Sequence, residues 1–157
     1  AGRVAAPAAG SLPGAGVTAE GPYRQALVRL ARAAMGAGRL DDADGRATLD
    51  NPLCGDRVTV EIRVREGRIA ALAHEVRGCL LCQAAGSLLG RAAPGCTAAE
   101  VVAARAYAAT MLCSGAPPPA GAWADLELFA AVRHSASRHG CVLLPFDALR
   151  EALAPRT

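Results

Sequence analysis

Three cysteines and one aspartate carry the chemistry open to this chain. Cys54 and Asp56 lie two apart in Asn51-Pro52-Leu53-Cys54-Gly55-Asp56, Cys79 follows Gly78, and Cys141 follows Arg138-His139-Gly140. Thiolates are soft donors and a carboxylate is a hard one, so the four side chains offer enough ligands for one four-coordinate metal ion. Their convergence in space would predict a protein of zinc, iron or sulfane-sulfur chemistry.

Each candidate has a local physical context. Pro52 biases Asn51 toward an extended backbone, and Gly55 lets the chain turn sharply after Cys54. Cys54 and Asp56 then share a turn just before a strand and can face one cation, although Cys-Gly-Asp alone better suits an ordinary turn cysteine. Cys79 follows a strand and a glycine, which predicts a place in the first turn of a helix. Unpaired N–H groups and the helix dipole favour a negatively charged sulfur there; the plainer alternative is a small buried hydrophobe. Cys82 completes Cys79-Leu80-Leu81-Cys82, a spacing that invites a redox or zinc reading. With no second pair of that kind and no βαβ unit around it, Cys82 reads as a packed residue, and a small thiol–disulfide oxidoreductase stands as the alternative function.

Cys141 precedes Val142-Leu143-Leu144, so a loop is expected to meet the final packed segment there. Arg138 brings a positive charge near that thiol. His139 is an alternative ligand, but as a polar residue in a charged loop it is expected to be exposed. Cys96 and Cys113 lie in no ligand-like context. His74 reads as a packed or surface residue of a hairpin, and His134 as a favourable charge at a helix end.

The elements that must position these residues follow from periodicity. Pro22 suits a first helical position, and Tyr23, Ala26, Leu27, Leu30, Ala31 and Ala34 recur at helical spacing up to about Met35. Asp41 to Gly45 is a polar loop. Val58, Val60, Ile62 and Val64 then alternate with Arg57, Thr59, Glu61, Arg63 and Arg65, the pattern of a half-buried strand with one wet face. Glu66-Gly67 makes a two-residue turn into a second strand, Arg68 to Val76, and Ala47 to Leu49 adds a short third. Helices are expected from Cys79 to about Arg91, from the capping box Thr97-Ala98-Ala99-Glu100 to about Leu112, around Ala122 to Val132, and from Pro145 to Leu153. Ser114 to Gly121, with Pro117-Pro118-Pro119, is a loop. Strands first and helices after predict an α+β domain, a small antiparallel three-stranded sheet packed against several helices.

Composition removes other classes. The 157 residues suffice for one domain with a core that needs no disulfide staples. No stretch reaches the roughly 20 apolar residues of a membrane span. The net charge is +3, all 17 basic residues are arginine, and aromatics are 3%. The one local basic cluster (Arg57, Arg63, Arg65, Arg68) is interleaved with Glu61 and Glu66, so no nucleic-acid surface is expected. Residues 1–20 are Ala/Gly/Pro-rich and read as a disordered tail before a single domain over 21–157. Val4 to Ala9, broken by Pro7, is too short for a secretory core, so six cysteines point to thiols in a reducing, cytoplasmic compartment.

Taken together, Asn51-Pro52-Leu53-Cys54-Gly55-Asp56, the hairpin Val58 to Arg77, Gly78-Cys79 with Gln83-Ala84-Ala85-Gly86-Ser87, and Arg138-His139-Gly140-Cys141 resemble the IscU/NifU N-terminal family of iron–sulfur cluster assembly proteins. The resemblance covers roughly residues 22–153. Within it the chain is more similar to the SufU branch: 62 residues separate Cys79 from Cys141 (141 − 79), the extra segment Ser114 to Gly121 lies between them, and Gly140 stands where IscU-like members have a histidine. Two positions depart from the family pattern, Gly86 within Ala85-Gly86-Ser87 and Cys82 itself; neither removes a ligand. The resemblance implies an IscU/SufE-like fold, a ligand set of Cys54, Asp56, Cys79 and Cys141, and Zn²⁺ or a transient [2Fe–2S] cluster as the bound species. It also implies a cysteine desulfurase as sulfur donor and a downstream iron–sulfur carrier or SUF-type assembly protein as recipient. The sulfur acceptor would be Cys54 on the SufU pattern, freed from zinc by a ligand of the desulfurase, or Cys141 on the IscU pattern. The activity would be zinc-dependent sulfur transfer, or scaffolding of a cluster on Cys54, Cys79 and Cys141 without catalysis.

Overall fold

The computed structural model describes residues 22–117 and 119–155, so the expected N-terminal tail lies outside the described residues. Helix α1 (Pro22–Ala33) buries Ala26, Leu27, Leu30 and Ala31 along one face. It ends earlier than the spacing suggests, because Ala34 takes a positive φ of 45° and turns the chain away. Strands β1 (Gly45–Asn51), β2 (Asp56–Arg65) and β3 (Arg68–Arg77) form the antiparallel sheet in the order β1-β2-β3. Glu66 and Gly67 both have positive φ, 53° and 76°, the geometry whose twist matches a two-residue hairpin. The expected α+β layout is therefore present, with β1 longer than the short strand anticipated.

One face of the sheet carries the core. Val58, Val60 and Ile62 of β2 stand opposite Val76, His74 and Leu72 of β3. His74 therefore points inward: its Nε2 donates to the Met35 carbonyl at 2.7 Å, while Nδ1 has no partner among the described residues. Burial, stronger than the opposing pull of that carbonyl, lowers its pKa, so the ring stays neutral.

The other face is not simply wet, as alternation alone would have it. Thr59 shares a 2.8 Å hydroxyl contact with Thr48, and both Thr59 and Glu61 are buried. Glu61 accepts the Leu40 amide at 2.8 Å, Arg46 Nε at 3.1 Å and Arg39 Nε at 3.4 Å. The Leu40 amide outweighs the burial penalty and, with the arginines, holds this carboxyl below the ordinary glutamate range. The loop before β1 thus straps the outer face through a carboxylate.

Helix α2 (Leu80–Ala92) is buried along most of its length. Helix α3 (Ala98–Ser114) begins with the expected capping box: Glu100 N–H donates to Thr97 Oγ1 at 3.1 Å, and Thr97 N–H to Glu100 Oε1 at 2.9 Å. The helix expected around Ala122 to Val132 is a 3₁₀-helix, Gly121–Val132. Its apolar residues Trp123, Leu126, Phe129 and Val132 recur every third position, the period at which 3₁₀ side chains eclipse, and they pack on the core as one ridge.

The largest difference from expectation is helix α4, which runs Ala136–Leu153 and so contains Cys141 and Pro145. Gly140 and Pro145 suggested a break, and Pro145 has no N–H for the Cys141 carbonyl. The helix persists because Cys141, Val142, Leu144, Pro145, Phe146, Ala148, Leu149 and Ala152 are all buried, against β1, β2, α2 and α3. Packing outweighs local propensity here.

Candidate metal centre

Two chain junctions and one helix meet at one end of the sheet. The β1–β2 turn carries Cys54, the β3–α2 junction carries Cys79, and α4 crosses over both with Cys141. The turn is set by Asn51, whose carbonyl accepts Gly55 N–H at 2.7 Å and Cys54 N–H at 3.3 Å, and whose Oδ1 accepts Leu53 N–H at 3.0 Å. Gly55 completes it with φ of 77°, a conformation that costs other residues. The reversal exposes Cys54 and returns the chain into β2 at Asp56, paired opposite Asn51.

Asp56 is only 2% exposed and sits at the middle of the cluster. Its Oδ1 accepts the Cys79 amide at 3.1 Å, and its Oδ2 lies 3.4 Å from Cys79 Sγ. This approach needs Gly78: a Cβ there would lie 2.5 Å from both Cγ and Oδ1 of Asp56. Cys79 is the N-cap of α2 rather than a first-turn residue, and Gln83 Nε2 donates to the Gly78 carbonyl at 2.9 Å, holding the junction. Cys141, buried on α4, places its Sγ 3.2 Å from that of Cys54.

The ligand atoms of Cys54, Asp56 and Cys141 all lie within 4.8 Å of one another, and Cys79 joins them through the Asp56 carboxylate. Three of the four residues singled out from sequence, Cys54, Asp56 and Cys141, therefore form one group, and Cys79 lies beside it against the Asp56 carboxylate. Burial opposes ionisation of Asp56, but the Cys54 thiol, the Cys79 amide and the Cys141 and Cys79 thiols together lower its pKa, so it stays a carboxylate. Cys141 is pushed the other way by burial, with the neighbouring sulfurs adding to it. A carboxylate among thiols is a donor set that a soft divalent cation would satisfy.

The remaining candidates separate from this cluster. Cys82 is fully buried in the core, and burial, reinforced by the negative charge of Asp56, pushes its thiol strongly up. A thiol held protonated is a poor partner for disulfide exchange, which weighs against the Cys79/Cys82 oxidoreductase. His139 is not an exposed loop residue: on α4, its Nε2 points to the carbonyls of Val132 (3.2 Å) and Arg133 (3.0 Å), tying the 3₁₀ segment to α4. Arg138 is exposed and forms no ion pair among the described residues. It borders a groove of about 280 Å³ with Arg24, Leu27, Leu80, Leu81 and Val132 beside the start of α2. Sequence reasoning missed Asn51 and Gln83 as positioning residues. Asn51 carried a signal, since asparagine readily bonds backbone two residues on; Gln83 carried none.

Residues 23–142 match the NifU-like N-terminal domain family. The chain belongs to that family. Its fold matches the crystal structure of the N-terminal part of a nitrogen-fixing NifU-like protein from Brucella abortus, with a TM-score of 0.79 and 37% identity over 83% of this chain and 91% of that one. The iron–sulfur cluster assembly scaffold protein IscU of Thermotoga maritima is 28% identical over 83% of this chain and 92% of its own. Two scaffold proteins IscU of Archaeoglobus fulgidus are 37% identical over 65 residues, 41% of this chain and 42% of theirs. This family member thus spans less than half of the archaeal relatives' length. Among its described residues no helix is long and apolar enough to cross a membrane.

Proposed function

We propose that this chain assembles iron–sulfur clusters, taking sulfane sulfur from a cysteine desulfurase at a three-cysteine, one-aspartate site and presenting the same residues to a transient cluster. The observation that carries the reading is the meeting of Cys54, Asp56 and Cys141 within 4.8 Å, with Cys79 against the same carboxylate. The names of its relatives in the NifU-like family, which are cluster assembly scaffolds, support it.

The exposure of Cys54 and the burial of Cys141 favour Cys54 as the sulfur acceptor, since the donor's persulfide must reach the attacking thiol. That choice accords with the SufU-like features, Gly140 before Cys141 and the long interval after Cys79. The Arg138 groove lies beside the start of α2, next to Cys79, and suits contact with the donor. The resident ion that fits is Zn²⁺, held by Cys54, Asp56, Cys79 and Cys141; when bound, such an ion keeps thiols deprotonated and masked. For a cluster, Cys54, Cys79 and Cys141 are the durable ligands and Asp56 the weak one that lets the cargo leave. A downstream carrier or SUF-type assembly protein then receives it.

Native mass spectrometry of the wild type and of Asp56→Ala tests the reading. One metal per chain is expected in both, with firmer retention in Asp56→Ala against a competing chelator. Equal retention would remove the labilising role of Asp56, and a wild type that binds neither zinc nor iron would overturn the function.

A further inference from the structure

The two outer edges of the sheet differ. On β3, loop backbone closes the edge at two points. His74 N–H donates to the Gly36 carbonyl and the His74 carbonyl accepts Gly38 N–H, both at 2.9 Å, while Ile69 bonds in the same way to Cys96 and Gly95. On β1, no such closure is present among the described residues. The Ile62 carbonyl points toward β1, where it accepts Asp44 N–H at 2.7 Å. Strand alternation then aims the backbone of Val60 and Val58 the same way, at their partners Ala47 and Leu49. The amides and carbonyls of the residues between, Arg46, Thr48 and Asp50, therefore face outward, and all three residues are exposed. An uncovered edge of this kind is a template for another strand.

We propose that β1 is a pairing edge for a second copy of this chain, joined antiparallel about Thr48. The strand's charges are self-complementary in that register: Thr48 stands opposite Thr48 of the second copy, and Arg46 opposite its Asp50. Centring the pair on Arg46 or on Asp50 instead sets like charges face to face, which is unfavourable. Within one copy Arg46 already pairs with Glu61 at 3.1 Å and Asp50 with Arg57 at 2.7 Å. The seam joins Glu61 and Arg46 of one copy to Asp50 and Arg57 of the other, a row of alternating sign. Such exposed charges select the register more than they add affinity. The backbone supplies the affinity, because the Thr48 residues exchange their amide–carbonyl bonds and Arg46 and Asp50 exchange theirs. Ala47 and Leu49, half-buried on the inner face, meet across the seam. Helix α4 packs on β1 and β2 alike. With strands about 4.8 Å apart, two α4 axes centred between those strands come about 10 Å from one another, a distance at which helices pack. The paired β1 strands run in opposite directions, so the two Cys54 turns point away from one another and both metal centres stay open. The dimer does not depend on the proposed function.

The test is sedimentation velocity of the full chain over a concentration series, under a thiol reductant, with amide hydrogen exchange followed by NMR. A reversible dimer is expected. As concentration rises, the Arg46, Thr48 and Asp50 amides should gain protection, while those of Ala47 and Leu49, already bonded to β2, should not change. Thr48→Pro removes the central N–H at an outward-facing edge position, where proline is tolerated. It should keep the fold, read by circular dichroism, and weaken association roughly tenfold or more. Asp50→Arg sets arginine opposite Arg46 across the seam and should also weaken it; its position is exposed, so this variant decides even if the proline variant folds poorly. A wild type still monomeric at about 1 mM, where even a weak contact is populated, would overturn the proposal. A dimer that a folded variant of either kind leaves at wild-type strength, or that protects other amides in place of these three, would overturn it as well.

Discussion

Replacing Gly78 with alanine should disturb this protein more than its exposed position suggests. The methyl carbon would lie 2.5 Å from Cγ and Oδ1 of Asp56 and 2.9 Å from its Cβ. Ordinary carbon contacts lie near 3.5–4.0 Å, so the overlap is about 1 Å. The structure has two ways out. Either Asp56 stays and the junction strains, at about 1–3 kcal/mol for overpacking, or Asp56 swings away and loses its charged hydrogen bond from the Cys79 amide, at about 1.5–3 kcal/mol. The cheaper route governs, so the cost is about 2 kcal/mol. For a domain of this size that lowers Tm by roughly 4–8 °C. Either route also moves the carboxylate relative to Cys54 and Cys141, so zinc retention against a chelator should change.

The decisive assay is a double-mutant cycle by thermal unfolding. Asp56→Gly removes all three clashing atoms, so Gly78→Ala should cost much less in that background, a coupling above about 1 kcal/mol. Gly55→Ala provides the contrast: nothing lies within 4 Å of its would-be Cβ, but its φ is 77°. It should cost about 1–2 kcal/mol through backbone conformation alone and recover partly in Gly55→Asn, with no coupling to Asp56. Additive Gly78 and Asp56 effects, within about 0.5 kcal/mol, would refute the steric account.

Glu61→Gln should lose about 1–2 kcal/mol at neutral pH, since glutamine still accepts the Leu40 amide but loses its charge. The folded pKa of Glu61 lies below its unfolded value, so its stabilisation is complete above the ordinary glutamate range and drains away as pH falls through the folded value. The Tm gap between wild type and Glu61→Gln should therefore close under acid; a constant gap down to about pH 3, well below an unfolded glutamate near 4.3, would contradict this. Cys82→Ser places a hydroxyl in a fully buried apolar setting and should cost about 1–3 kcal/mol. It should leave zinc binding intact, read by native mass spectrometry. Loss of metal, or of a thiol–disulfide exchange activity present in the wild type, would restore Cys82 to the chemistry.

The sequence by itself determined whatever depends on short range. Thr97 and Glu100 cap a helix from three residues apart, Glu66-Gly67 selects the hairpin turn, and Gly55 permits the Cys54 reversal, because each interaction closes within a few residues. The candidacy of Cys54, Asp56 and Cys79 was legible for the same reason, since each lies at or beside a turn or helix start; Cys141, inside α4, was singled out from a junction that the structure does not have. The tertiary structure alone decided how they meet. It placed the Cys54 and Cys141 sulfurs in contact across 87 positions of chain, put Asp56 under Gly78, and turned Glu61 from a wet-face residue into the anchor of the Leu40 loop. It also carried α4 through Gly140 and Pro145 and made a 3₁₀ ridge of Trp123, Leu126, Phe129 and Val132. Burial against residues distant in sequence supplies the free energy for these features, and no local pattern encodes which distant surface will arrive to provide it.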